Sequence, residues 1–153
     1  MTSIRPAIKK DAPFILEMIK ELAMFEEAAD QVEISLATLE KDGFGEHPLY
    51  KSLIIENEDK QSIGFCLFYY RYSTWKGKSL YLEDLYIKPA HRGNGAGKMV
   101  MEYLIDLAKT TGCGRFEWQV LDWNTKAIKL YESLGATLDG SWINCRIEEK
   151  LKS

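Results

Sequence analysis

A hydrophobic strand, a glycine-rich segment and an amphipathic helix follow one another between Leu80 and Gly112. The run Leu80–Ile87 is rich in aliphatic and aromatic residues and is followed by Pro89, a pattern typical of a strand. After it, one helical face is apolar at Val100, Tyr103, Leu104, Leu107 and Ala108. A second strand is predicted over Phe116–Val120. Two strands joined through a helix form a crossover, so these two should lie parallel.

The rest of the chain predicts further strands and helices around this crossover. Helical periodicity appears after Asp11, with Asp11 as N-cap, from Ser35 to a left-handed Gly43, and from Asn124 or Thr125 to Gly135. Strand patterns cover Leu53–Glu56, Ser62–Tyr72 and, near the end, Ser141–Ile147. Because the strands before Leu80 are joined by short turns, they should be antiparallel. The sequence therefore predicts an α+β fold with a mixed, mostly antiparallel sheet.

Composition narrows the class of protein further. The chain has 153 residues, 46% of them hydrophobic, and no linker or repeat divides it, so we expect a single domain over residues 1–153. A formal net charge of −3 does not favour a nucleic-acid partner. The three cysteines are widely spaced, which suits a reducing compartment. With no signal-peptide pattern and no apolar run long enough to span a membrane, we expect a cytoplasmic protein without a membrane partner.

The segment from Arg92 to Lys98 is a candidate phosphate site. Glycines allow the backbone to approach a ligand, and the start of the following helix adds a partial positive charge. Arg92 and Lys98 supply full charges. A flexible surface loop is the alternative interpretation. A P-loop is excluded because Met99 follows Gly97-Lys98, and a dinucleotide fingerprint fits poorly because the strand before it does not open a parallel unit.

Two adjacent carboxylates, Glu83 and Asp84, interrupt the apolar strand. In a regular strand their side chains point to opposite faces, so at least one enters a packed layer. An unpaired buried carboxylate is costly, which favours a general base or a cation-binding group. Pairing with a nearby arginine, or a position at a solvent-facing edge, is the structural alternative.

Other residues give weaker signals. Tyr131 lies on the apolar stripe of its helix and is by default a core residue. His47 and His91 have no neighbours at metal-ligand spacing, so no metal is expected.

Two motifs together resemble the GNAT superfamily of acetyl-CoA-dependent N-acetyltransferases. Arg92–Gly97 matches its R/Q-x-x-G-x-G/A signature, and Leu121–Asn124 followed by Tyr131 matches its second motif. Four segments look like the spermidine/spermine acetyltransferase group, closest to its thialysine N-epsilon-acetyltransferase branch: Asp42–Pro48, Tyr72–Lys78, Tyr81–Asp84 and Leu121–Asn124. The resemblance covers nearly the whole chain. It implies a GNAT-like sheet with helices on both faces and a parallel strand pair that splays apart, and it implies a homodimer.

The resemblance also implies roles for individual residues. Tyr131 would protonate the leaving thiolate and Glu83 would accept the proton of the amine. Acetyl-CoA would be bound by Leu85, Tyr86, Ile87, Arg92, Gly93, Asn94, Gly95, Ala96, Gly97, Lys98, Asn124, Thr125, Lys126 and Ala127. The amine substrate would contact Phe25, Glu26, Glu83, Asp84, Glu117, Trp118 and Gln119.

Elementary chemistry agrees with these roles. An alkyl ammonium of pKa near 10.4 is neutral in only about one molecule in 10³ at pH 7, so an amine acetyltransferase needs a carboxylate that attracts the cation and takes its proton. Ser73-Thr74-Trp75 lacks the acidic residue that polyamine-specific members carry there. This favours a short amine such as thialysine, a lysine-like amino acid or a diamine over spermine. A non-catalytic acyl-CoA-binding regulatory module and a protein or peptide acetyltransferase are the alternatives.

Overall fold

A five-stranded sheet organises the protein in the computed structural model, which describes residues 1–153. The strands are β1 (Ser3–Pro6), β2 (Lys51–Glu56), β3 (Ser62–Ser73), β4 (Gly77–Ile87) and β5 (Arg115–Trp118), and the helices are α1 (Ala12–Phe25), α2 (Leu36–Phe44), α3 (Ala96–Thr110) and α4 (Thr125–Ser133). The strands lie in chain order; the first four are antiparallel to their neighbours, and β4 and β5 are parallel. The predicted α+β fold with a mixed sheet is confirmed.

The chain forms two compact units. The first, Met1–Gln119, holds the sheet with α1, α2 and α3, and the second, Val120–Ser153, holds α4. The expectation of one domain over residues 1–153 stays a prediction. None of the helices combines the length and apolar character needed to cross a membrane.

Helices cover both faces of the sheet in the first unit. On one face α1 and α2 pack on β2, β3 and β4, in a cluster of Ala12, Ile15, Met18, Leu39, Ile54, Phe65, Leu67 and Tyr86. Because side chains alternate along a strand, residues such as Cys66 and Leu80 point to the other face, where they are fully buried. There α3 contacts β4 and β5 and buries its stripe of Val100, Met101 and Leu104.

Local chemistry explains the helix boundaries, with two corrections. Asp11 precedes α1 as predicted but does not cap it, because its carboxylate accepts hydrogen bonds from Arg5 at 2.8 and 2.9 Å and from the Ile8 N–H at 2.8 Å. Ser35 does cap α2, accepting from the Thr38 N–H at 3.1 Å. The prediction that Gly43 ends α2 in a left-handed conformation is wrong. The helix continues to Phe44, and the space beside Gly43 is filled by the ring of Tyr50.

The strand predictions also need correction at the chain's two ends. The short edge strand β1 was not predicted from the residue pattern, since four residues containing Arg5 and Pro6 carry no alternation to detect. The predicted last strand over Ser141–Ile147 is wrong for the single chain, in which these residues have no regular structure. Likewise β5 ends at Trp118 and does not reach Val120.

Candidate active site

A β-bulge places both carboxylates of β4 on one side of the sheet. In the ladder with β3, Phe68 is opposite Leu82 and Leu67 is opposite Asp84, so Glu83 is an extra residue. Leu67 belongs to the cluster under α1, and the hydroxyl of Tyr69, two residues along the same face, donates to Glu83 Oε1 at 3.0 Å. The prediction of opposite faces is therefore wrong, because it assumed regular alternation.

Glu26 lies directly after α1 and brings a third carboxylate to this end of β4. Burial raises the pKa of Glu26, and the charge of Glu83 adds to the effect. Asp84 is more strongly affected: burial, then the negative charges of Glu83 and Glu26, raise its pKa to about 7. The structure thus brings together three of the predicted substrate-binding residues, and their charges act on one another.

An aromatic platform borders this acidic cluster. The rings of Tyr69 and Tyr81 lie 5.4 Å apart at 39°, and the guanidinium carbon of Arg71 lies 4.4 Å from the centre of the Tyr81 ring. Burial and the charge of Glu83 raise the pKa of Tyr69 to about 12, so its hydroxyl remains a hydrogen-bond donor to Glu83. Tyr69, Arg71 and Tyr81 were not among the site residues predicted from the sequence. Pairing the two strands across the Lys76-Gly77 turn could have found them, because it sets Tyr69 opposite Tyr81.

Glu117 carries arginine partners of its own. Its Oε2 accepts from Arg71 at 2.9 and 3.1 Å, and its Oε1 accepts from Arg115 at 3.2 Å. With two guanidinium groups beside it, this carboxylate attracts a substrate ammonium less strongly than an unpaired one would. Its neighbour Trp118 packs on Phe116 with ring centres 4.8 Å apart, and Gln119 follows the end of β5. Substrate contacts for Glu117, Trp118 and Gln119 stay predictions.

Beyond Leu82, β4 loses its neighbour on the β5 side. The last pair of the parallel ladder is Leu82 with Trp118, whereas β4 continues to Ile87. The backbone of residues 83–87, which includes Leu85, Tyr86 and Ile87, is therefore paired only with β3. This is the divergence of the parallel strands that the family resemblance implies.

The glycine-rich segment leads into the first turn of α3 through two left-handed glycines. Gly93 and Gly95 adopt φ of +85° and +83°, which side chains rarely tolerate, and each has open space where a Cβ would lie. Asn94 Oδ1 accepts from the Ala96 N–H at 3.3 Å, at the start of α3. The N–H groups of Gly97 and Lys98 follow in the same first turn, where a helix has no internal acceptors for them.

Arg92 connects this segment to β4 and α1. Its Nε donates to the Ile87 carbonyl at 2.7 Å, and its guanidinium lies 5.0 Å from the centre of the Tyr86 ring and 5.5 Å from that of Phe25. The predicted cofactor residue Arg92 and the predicted substrate residue Phe25 thus come together. Lys98 points along α3 toward Glu102, 3.9 Å away, and remains more than half exposed.

The remaining predicted site residues belong to the second unit. Asn124 caps α4, and its Oδ1 accepts from the Ala127 N–H at 3.3 Å. Thr125 and Lys126 lie in the exposed first turn of that helix, and Tyr131 is half-buried on its less exposed face. Gly135 follows the helix at φ +89°, as predicted for its end.

Comparison with known proteins decides the family. The profile of the acetyltransferase (GNAT) family matches residues 15–136. The chain belongs to this family. Thialysine N-epsilon-acetyltransferase from Mus musculus is 41% identical and covers 96% of this chain and 92% of its own length. A human spermidine/spermine N(1)-acetyltransferase-like protein 1 is 42% identical over 87% of this chain but only 20% of its own.

The fold agrees with GNAT membership. An integron cassette protein from the mobile metagenome of V. cholerae matches with a TM-score of 0.76 and 26% identity, over 96% of this chain and 92% of that one. The protein is therefore an N-acetyltransferase, as the sequence motifs predicted. No group of three or more His, Cys, Asp or Glu side chains is arranged to hold a metal ion.

Proposed function

We propose that this GNAT protein transfers the acetyl group of acetyl-CoA to a primary amine of a small molecule by direct attack. The observation that carries the proposal is the bulge in β4. It sets Glu83, held by Tyr69, beside Asp84 and Glu26, and so creates a local negative field at this end of β4. An ammonium substrate would be attracted there and could pass its proton to Glu83.

The residues of the first unit fit acetyl-CoA. Gly93 and Gly95 leave open space for a pyrophosphate, and the first turn of α3 directs N–H groups and a partial positive charge toward it. Residues 85–87 offer a backbone edge to which the pantetheine arm could add like a strand. The resemblance to the family further suggests Asn124, Thr125, Lys126 and Ala127 as acetyl-CoA contacts.

Each chemical step needs one group of this chain. Once Glu83 has taken the proton, the amine attacks the thioester carbon, and a backbone N–H of β4 would stabilise the oxyanion. Tyr131 would then protonate the departing thiolate, and the second proton that the nitrogen loses as the amide forms would replace it on Tyr131 through solvent. An acyl-enzyme on Cys66 is disfavoured, because burial raises the pKa of this thiol to about 12 and leaves no thiolate to attack.

The names of the relatives support a small amine substrate. Thialysine, a lysine-like amino acid or a diamine would fit a protein that resembles the thialysine branch. We place the protein in the cytoplasm as a homodimer. The dimer is supported by residues 141–147, which have no regular structure in the single chain. Ile143 is 88% and Ile147 66% exposed there, and a second copy could cover these two apolar side chains.

The test is thiol release from acetyl-CoA in the presence of a panel of amines. Tyr131→Phe should lower kcat by about 10²-fold or more, a typical contribution of a general acid, while calorimetric binding of acetyl-CoA stays unchanged. Unchanged turnover would remove Tyr131 from the mechanism. Tight acetyl-CoA binding without thiol release on any amine, amino acid or peptide would instead indicate a regulatory module.

A further inference from the structure

Arg71 is a positive charge beside an otherwise acidic site, and the proposed chemistry does not use it. Its guanidinium lies over the Tyr81 ring, whose other neighbour is Tyr69, the residue that holds Glu83. Tyr69 and Arg71 are two residues apart on β3, so both point to the same face, roughly 6.6–6.8 Å apart along the strand. The platform thus has a carboxylate at one end and a guanidinium at the other.

The pair with Glu117 leaves Arg71 able to bind a second anion. A guanidinium has five N–H donors. The contact with Glu117 Oε2 uses two of them, through Nε and Nη2, on one edge of the group. The side chain is 49% exposed, so part of it remains accessible to a ligand. Glu117 also accepts from Arg115, and the three side chains together carry one net positive charge.

We propose that Arg71 binds the carboxylate of the substrate and so selects an amino acid with a terminal amine over the corresponding diamine. This inference rests on the proposed amine acetylation. With its terminal ammonium at Glu83, Asp84 and Glu26, a lysine-like molecule would extend across the two tyrosine rings and present its carboxylate to Arg71. A diamine in the same position would present its second ammonium to the guanidinium without a carboxylate to offset the repulsion.

The experiment compares matched substrates that differ only in the carboxylate: lysine with cadaverine, and ornithine with putrescine. The native protein should have the higher kcat/KM for the amino acid of each pair. Arg71→Gln should lower kcat/KM for the amino acids by roughly 10- to 100-fold, the usual effect of losing a hydrogen bond to a charged group, and should not lower it for the diamines. Arg71→Lys should retain part of the preference.

Two variants separate recognition from the structure of the ion-pair network. Arg115→Gln removes the other partner of Glu117 and one positive charge of the network, and it should lower the amino acid to diamine ratio much less than Arg71→Gln does. Glu117→Gln removes the acidic partner of Arg71 and should raise the ratio. The inference is overturned if native protein prefers the diamines, or if Arg115→Gln and Arg71→Gln reduce the ratio equally. Absence of thiol release with every amine would instead count against the proposed function itself.

Discussion

Asp84 holds its proton over a pH range in which an ordinary aspartate has lost it. Its pKa is about 7 in the folded protein, because of burial and of the charges of Glu83 and Glu26, against an ordinary value of 3.8. Between these two values the folded chain binds more protons than the unfolded one. Asp84 therefore makes the free energy of unfolding fall as pH rises from about 4 to about 7, by a few kcal/mol.

Asp84→Asn should remove this dependence. At about pH 3.5 the variant and the native protein should unfold at similar urea concentrations, because Asp84 is then mostly neutral in both the folded and the unfolded chain. At pH 8 the variant should be more stable by on the order of a few kcal/mol. Asp106→Asn, an exposed position on α3, is the control and should leave the difference between the two pH values unchanged. Equal effects of Asp84→Asn at both pH values would contradict the raised pKa.

The acidic residues of the site could be predicted from the sequence, but their arrangement could not. Glu83 and Asp84 stand out as carboxylates in an apolar strand, Glu26 was added by resemblance, and the three do influence one another. That Glu83 and Asp84 lie on one side depends on a single extra residue in the ladder with β3, which no local pattern reveals. Arg71 was missed for the same reason, since its partners Tyr81 and Glu117 come from two other strands.

At the scale of the element, a left-handed glycine stands at each end of α3, and only the first lies in the segment proposed to bind the pyrophosphate. Gly95 precedes its first turn at φ +83°, and Gly112 follows its last turn at φ +76°. Neither would bring a Cβ near another atom, so a substitution at either position is strained only by its backbone. The two positions therefore form a matched pair for separating helix stability from ligand binding.

Gly95→Ala and Gly112→Ala should each lower the free energy of unfolding by roughly 1–2 kcal/mol, the cost of a left-handed conformation for alanine. Only Gly95→Ala should weaken the binding of acetyl-CoA, because only Gly95 lies in the segment proposed to hold the pyrophosphate. Chemical denaturation and titration calorimetry on the same samples give both numbers. Equal affinities for the two variants would place the pyrophosphate elsewhere.

Elements with strong periodicity were predicted well, and those that depend on distant partners were not. The apolar stripe of α3 and the aliphatic runs of β2, β3 and β4 are local signals of burial. In contrast, β1 forms because Ser3–Pro6 pairs with the edge of β2. Ion pairs from Arg5 to Asp11 and Glu56 stabilise this pairing. Residues 141–147 have the composition of a strand but do not pair with another strand in the single chain.

At the scale of the whole molecule, residues 141–147 are the segment through which we expect two copies of the chain to form a dimer. Ile143, Cys145 and Ile147 alternate with polar or amphipathic residues and would form one apolar face if a second copy supplied a neighbouring strand. Light scattering should give a dimer for the native protein. Ile143→Glu combined with Ile147→Glu should shift it to monomer without unfolding α1–α3. A native monomer at micromolar concentration, or a dimer that survives both changes, would contradict the proposal.

The unpaired edge of β4 has a consequence for inhibition. Residues 83–87 present main-chain amides and carbonyls on the side that β5 leaves open, and every amino acid except proline carries the same two groups. An inhibitor that pairs with this edge would bind atoms that ordinary point substitutions cannot delete. Resistance would have to arise from side chains at its periphery, such as Arg92, or from proline, which would remove an amide and disturb the sheet on which the fold depends.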